Sequence, residues 1–199
     1  AVHEDVGDIA CVLYMMRSNT NEYFTGIKIK NKHLEQWEMT KEAVMEEALK
    51  NTCQMAPPLI CTNDENKWRG SFMENGASCL SKSDRVRGIQ LSTNAEEYGA
   101  VSVFYPGVLQ RLAQLMASDL YIVFTSRNEG VIYSVNESNL EDIKAELNEM
   151  VIEYGNGMVY EDDLLSEELY YYSRIEDKIS VYMEKVKVSF TTVNLAEEH

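Results

Sequence analysis

Residues 119–135, Asp-Leu-Tyr-Ile-Val-Phe-Thr-Ser-Arg-Asn-Glu-Gly-Val-Ile-Tyr-Ser-Val, contain two apolar segments of strand length separated by a short polar turn. The segments, 119–125 and 130–135, are typical of the two strands of a β-hairpin. From about 139 to 154 apolar residues recur at helical spacing, and Gly155 follows as a stop signal. The sequence therefore predicts a strand–strand–helix unit in this region.

A second pattern of the same kind lies near the N-terminus. Residues 9–16 are a continuous apolar run that predicts a buried strand, and the alternating residues 23–30 predict its hairpin partner. Asn31 is suited to cap a short helix that follows, and Thr40 to cap a longer helix over 41–53. No residue-level repeat relates the two units. Together they predict an α+β fold: a mostly antiparallel mixed sheet with helices packed on one face.

The other segments are expected to complete a single domain over 1–199. They are, in chain order, strands at 86–93 and 99–104, a helix that begins at Pro106, and strands at 169–174 and 178–182. Residues 59–85 are the least regular part, and we expect a poorly regular insertion there, either a flexible loop or a lid over a groove. The sequence starts at Ala1 rather than Met, which leaves open a missing N-terminal portion.

Composition and charge exclude several classes of function. The 199 residues are 45% hydrophobic and carry a net charge of −15. This charge argues against direct nucleic-acid binding and against an anionic membrane surface, because both need clustered Lys and Arg. The four cysteines form no C-x-x-C pair and no secretory signal is visible, so we expect reduced thiols and a cytoplasmic protein.

Acidic residues are concentrated in residues 135–168, which contain eleven carboxylates and one basic residue. One interpretation is a solvated helix face and loop. The other is a surface that binds a basic protein partner or mimics DNA. For the second interpretation the candidate residues are Glu141, Glu149, Asp162 and Asp163.

Motifs for catalysis or cofactor binding are not found in the sequence. There is no glycine-rich phosphate loop, nucleophile elbow, zinc-protease motif or EF-hand loop. Only three histidines occur, and two of them lie near the chain ends. We therefore expect no cofactor and no metal site.

Three consecutive tyrosines, Tyr170, Tyr171 and Tyr172, stand out in the predicted C-terminal hairpin. On a strand, the first and third share one face and the second takes the other. They are expected either to pack on a half-buried sheet with bonded hydroxyls or to form an interaction edge.

Several segments together resemble a bacterial family known as domain of unknown function 5688. They are residues 31–37 with Thr40, 91–94 and 99–100, 105–109, 119–122, and Ser126 with Glu129. A weaker similarity in the same segments points to the YtpQ-like family. The chain departs from the family pattern at two positions, with Asn128 where a histidine is expected and Phe124 where a proline is expected. The resemblance implies an uncharacterised bacterial protein and assigns no activity.

Five residues in the matched segments have no evident packing role. They are His33, Asn94, Tyr105, Ser126 and Glu129. Loops at strand ends can converge on one cleft, so these residues are the candidate ligand or partner site. Helix caps and turn hydrogen bonds are the other explanation for them.

Because no nucleophile–base pair can be assembled, we favour a non-enzymatic protein-binding or regulatory domain with its interaction surface at 135–168. The alternative is a small hydrolase or transferase with a polar site near Ser126 and Glu129.

Overall fold

The structure is a computed structural model that describes residues 1–20, 23–63, 67–74, 80–95, 97–156 and 164–184. The strands in these ranges are β1 (His3–Val6), β2 (Ile9–Val12), β3 (Tyr14–Thr20), β4 (Tyr23–Lys28), β5 (Pro58–Cys61), β6 (Trp68–Arg69), β7 (Ile89–Thr93), β8 (Leu120–Ser126), β9 (Glu129–Ser134), β10 (Leu169–Ser173) and β11 (Lys178–Val181). The α-helices are α1 (Asn31–Trp37), α2 (Lys41–Met55), α3 (Lys82–Arg87), α4 (Val108–Met116) and α5 (Leu140–Gly155). Two 3₁₀ helices span Ser71–Met73 and Gly99–Phe104.

Seven strands form one antiparallel sheet in the order β11-β10-β8-β9-β7-β5-β6. The predicted hairpin of residues 119–135 is the pair β8–β9 at the centre of this sheet. The N-terminal strands form two separate hairpins, β1–β2 and β3–β4. The prediction of an α+β fold with antiparallel sheets is confirmed.

Strand β8 is buried on both faces. Leu120, Ile122 and Phe124 point into the larger core, which α4 covers. Tyr121 and Val123 point to the opposite face, where α5 packs through residues such as Ile143 and Leu147. The prediction placed the helices on one face of the sheet, whereas in the structure helices cover both faces. An uninterrupted apolar run is the pattern that such a doubly buried strand requires.

The N-terminal region has a small core of its own, formed by Val2, Leu13, Ile29, Val44 and Met45. Thr40 caps α2 as predicted, with its Oγ1 accepting a hydrogen bond from the Ala43 amide at 3.2 Å. The run 9–16, predicted as one strand, is divided at Leu13 into β2 and β3. The Leu13 backbone bonds to Val2 and Ile29, so the chain changes hairpin at this residue.

Two further predictions need correction. Residues 99–104, predicted as a strand, form the 3₁₀ helix, because Gly99 lies against β7 and the β8–β9 turn. The predicted strand 86–93 starts later, since its first two residues end α3. Within 59–85, expected to be poorly regular, the described residues include most of β5, all of β6, a 3₁₀ turn and the start of α3.

The tyrosine triplet lies on β10 with the predicted alternation. Tyr170 and Tyr172 belong to the larger core, whereas Tyr171 packs against the core beneath α5. All three hydroxyls donate hydrogen bonds to carboxylates, namely those of Asp8, Asp119 and Asp177. Buried tyrosine rings with bonded hydroxyls, the first of the two explanations, account for the triplet.

The backbone at Gly99 leaves no room for a side chain. A Cβ atom there would lie 2.1 Å from Ser92 Oγ and 2.3 Å from the Asn128 carbonyl oxygen. We expect Gly99→Ala to lower the free energy of unfolding by about 1–3 kcal/mol, the usual cost of overpacking. Urea denaturation measures this change.

The matched control is Gly155→Ala, because a Cβ at this helical position meets nothing within 4 Å. Alanine favours the helix, so this variant should be unchanged or more stable by up to about 1 kcal/mol. Equal stability of the two variants would contradict the close approach at Gly99.

Candidate functional site

Of the five candidate residues, Ser126 and Glu129 are neighbours, whereas His33 and Tyr105 lie in other parts of the structure. His33 lies in the first turn of α1, where its Nδ1 accepts a hydrogen bond from the Lys30 amide at 3.2 Å. Its ring is 5.8 Å from that of Trp37, one turn along the helix. Asn31, predicted as the cap, is instead the first residue of α1. His33 therefore stabilises the start of a helix.

Tyr105 is buried between the 3₁₀ helix and α4, with 3% of its surface exposed. Its hydroxyl donates a hydrogen bond to the Ala56 carbonyl oxygen at 3.1 Å. Burial raises the pKa of this hydroxyl above its ordinary range, so the phenol stays protonated. Tyr105 thus links the end of α2 to the main core and lines the cavity described below.

Ser126 and Glu129 are paired residues at the β8–β9 turn. Ser126 Oγ accepts a hydrogen bond from the Asn128 amide at 3.0 Å, and Asn128 Oδ1 accepts one from the Tyr98 amide at 2.9 Å. The Asn94 backbone donates to the Pro57 carbonyl oxygen at 3.2 Å. Asn128 is thus a turn residue that joins this hairpin to the segment before the 3₁₀ helix.

Glu129 has an unusual environment for a carboxylate. It is half-buried, and burial raises the pKa of its side chain, although Thr125 Oγ1 lies 3.5 Å from one carboxylate oxygen and partly offsets this. Its negative charge contributes to the raised pKa of the buried Cys61 thiol, for which burial is the larger cause. Glu129 is the only carboxylate among the five candidates, and its pKa is raised.

Four acidic residues of α5 lie beside the face that makes its core contacts. Asp142, Glu146, Glu149 and Glu153 are exposed and recur at i, i+4, i+7 and i+11, which places them within about 60° of helical arc. We call these four residues the acidic stripe. Glu146 is positioned by a hydrogen bond of 2.9 Å from the Tyr133 hydroxyl.

Other carboxylates of the acidic segment have cationic partners. Lys144 Nζ lies 3.3 Å from Glu141 and 2.8 Å from Glu184, and Arg85 lies 2.6 Å from Glu137. Glu141 is therefore partly neutralised, whereas Glu149 belongs to the acidic stripe. Asp162 and Asp163 lie outside the described residues.

A cavity of about 270 Å³ opens on the larger-core side of the molecule. It lies between the β1–β2 hairpin, α2, the residues that lead into α4, and the end of β10–β11. We call it the N-terminal cavity. Tyr105 is the only one of the five candidate residues among the residues that line it.

No group of three or more His, Cys, Asp or Glu side chains in the described ranges could bind a metal ion. Among the helices of those ranges, none is both long and apolar enough to cross a membrane. Cys11 and Cys53 are free thiols.

Together these features define an α+β protein with a doubly covered antiparallel sheet, an acidic helix on one side and a cavity on the other. Residues 1–174 match the family described as "Family of unknown function (DUF5688)". The chain belongs to this family, as the sequence motifs suggested. The weaker similarity to the YtpQ-like family stays a prediction. No curated protein and no solved structure matches the chain.

Sequence reasoning did not find the N-terminal cavity. Its lining residues come from β1, β2, α2, α4 and β11, which are distant in the chain, and β1–β2 was not predicted as a hairpin. Gly7 and Asp8 at the tip of this hairpin were the available turn signal. Nothing in the sequence indicated which part of the sheet the hairpin contacts.

The raised pKa of Glu129 predicts a specific pH dependence of stability. The folded chain retains the Glu129 proton at pH values where the unfolded chain has lost it. The free energy of unfolding must therefore fall as the pH rises through the ordinary glutamate range towards the raised pKa. We expect Glu129→Gln to be more stable than the parent at about pH 7, with the difference vanishing near about pH 3.

Urea denaturation at the two pH values measures this difference. The control is Glu47→Gln on the exposed side of α2, which should show no such pH-dependent gain. If Glu129→Gln differs from the parent equally at both pH values, the environment assigned to Glu129 is wrong.

Proposed function

We propose that the protein is a non-enzymatic binding domain and that the acidic stripe on α5 binds a basic surface of a partner protein. The observation that supports this proposal is the arrangement of the stripe. Four exposed carboxylates share one narrow face of α5, and an adjoining face of the helix is anchored in the sheet. The charges are therefore presented on a fixed support.

Electrostatics favours a cationic partner for this face. Like charges four residues apart on a helix repel and destabilise it by about 0.2–0.5 kcal/mol per pair. Lys144, the basic residue of α5, already contacts Glu141 and Glu184. A basic partner would relieve the repulsion along the stripe and would be steered towards it by the negative field.

The same charge disfavours direct nucleic-acid binding, which needs clustered cations to contact phosphates. We place the interaction in the bacterial cytoplasm, where free thiols such as Cys11 and Cys53 stay reduced. Regulation of the bound partner is the role we assign to such a module.

A small hydrolase or transferase centred on Ser126 and Glu129 is the second candidate. The raised pKa of Glu129 favours it, because perturbed carboxylates occur at catalytic sites. However, Ser126 Oγ accepts a hydrogen bond from the Asn128 amide in a turn, and within the described ranges no side-chain base accepts a hydrogen bond from it. The binding domain is therefore the better-supported function.

The decisive test compares two variants with the same change in charge. The stripe variant is Asp142→Asn/Glu146→Gln/Glu149→Gln/Glu153→Gln. The control variant removes four exposed carboxylates from the N-terminal helical region, with glutamine at positions Glu35, Glu38, Glu42 and Glu47. Proteins captured by each from the source-cell lysate are quantified by mass spectrometry, and the affinity for any captured partner is then measured with purified components.

We expect a basic partner that binds the parent and the control alike and loses at least about tenfold in affinity, or 1.4 kcal/mol, for the stripe variant. Its affinity for the parent should also fall with added salt. Undiminished binding to the stripe variant, or an equal loss in the control, would contradict the proposal.

A further inference from the structure

The N-terminal cavity lies apart from α5, on the opposite face of the sheet. Its apolar surface is contributed by Met45 and Leu49 of α2, Phe104 and Leu109 beside the start of α4, and Ile179 of β11. Met45 and Leu109 are buried, whereas the other three are half-buried. The cavity therefore offers apolar surface that is partly open to solvent.

Two carboxylates from distant parts of the chain border this apolar surface. Glu4 lies on β1, directly opposite Cys11 in the hairpin register, so both side chains are on the cavity side. Asp177 lies in the β10–β11 turn with a left-handed φ of 49°. Its carboxylate accepts a hydrogen bond from the Tyr172 hydroxyl, which fixes its position.

No Lys, Arg or His occurs among the described residues that line the cavity. The negative charges near the cavity also affect the pKa of the adjacent Cys11 thiol. Burial, and after it the charges of Glu4 and Asp5, raise the pKa of Cys11 to about 11. Cys11 is therefore protonated near neutral pH and is not a nucleophile, and the same field favours a positively charged ligand.

One feature of the cavity acts in the opposite sense. The start of α4, with Gly107 as an N-cap that has no side-chain oxygen, also borders the cavity. A helix N-terminus carries a partial positive charge of roughly half a unit. Two full negative charges exceed it, so the balance at the cavity favours cations.

From this combination we propose that the N-terminal cavity binds a small organic cation, namely a primary ammonium group on a short aliphatic chain. The aliphatic chain would lie on the apolar surface, and the ammonium group would donate hydrogen bonds to Glu4 and Asp177. The volume of 270 Å³ corresponds to about nine water molecules at ~30 Å³ each. A six-carbon amine matches this size.

The test is a titration with hexylammonium, followed by amide chemical shifts in ¹H–¹⁵N NMR spectra. Hexan-1-ol and hexanoate serve as neutral and anionic probes of the same length. We expect saturable shifts at lining residues such as Gly107 and Gln110, and at least about tenfold weaker binding of both other probes.

N-acetyl-lysine amide is the fourth probe. If N-acetyl-lysine amide binds more tightly than hexylammonium, the source of the ammonium group is a lysine side chain of a peptide. If it binds more weakly, the source is a free amine.

The variant Glu4→Gln/Asp177→Asn removes both carboxylates and should bind hexylammonium at least about tenfold more weakly. Asparagine suits the left-handed backbone at Asp177, so the fold should be preserved, as thermal unfolding will check. The control is Glu35→Gln/Glu176→Gln, which removes two exposed carboxylates that do not line the cavity and should bind as the parent does. The proposal is overturned by hexanoate binding as tightly as hexylammonium, by no saturable binding of hexylammonium, or by equal effects of the two variants. None of these three outcomes depends on whether the acidic stripe binds a protein.

Discussion

The buried hydroxyl of Tyr170 connects the N-terminal hairpin to the main sheet. It donates a hydrogen bond to the Asp8 carboxylate and lies 2.9 Å from the Val6 carbonyl oxygen, while Ser166 Oγ donates to the same carboxylate at 2.7 Å. The Gly7 backbone approaches so closely that a Cβ atom there would lie 2.6 Å from the hydroxyl. A buried hydroxyl that loses its partner costs about 1–3 kcal/mol. The position of the hairpin is therefore fixed at this contact.

The two proposed binding surfaces depend on this arrangement in different ways. The N-terminal cavity exists because the hairpin, carrying Glu4 and Cys11, is docked beside α2 and the start of α4. The acidic stripe depends instead on the opposite face of the sheet, where α5 packs on Tyr121, Tyr133 and neighbouring residues. The doubly covered sheet thus separates a surface suited to a basic protein from a cavity suited to a small cation.

The sequence predicts the parts of the fold that are local in the chain. The hairpin β8–β9, helix α5 and the cap at Thr40 follow from periodicity and turn chemistry within short windows. The break of the run 9–16 at Leu13 does not, because it depends on backbone bonds to Val2 and Ile29. Nor does the 3₁₀ helix at Gly99, which depends on contact with a distant turn.

The candidate site shows the same division. His33 and Ser126 are predicted as candidate site residues because they have no evident packing role. In the structure, hydrogen bonds at a helix start and in a turn account for these two residues. The N-terminal cavity could not be predicted because the contact that joins its hairpin to the main sheet links Asp8 to Tyr170, which are 162 residues apart. Amide hydrogen exchange of the Tyr170→Phe variant tests that contact most directly. The control is Tyr171→Phe, which loses a hydrogen bond to Asp119 on the other face of the sheet. The account predicts faster amide exchange in β1–β2 for Tyr170→Phe alone, with protection of β8–β9 retained. Unchanged exchange in β1–β2, or an equal loss across the whole sheet, would contradict it.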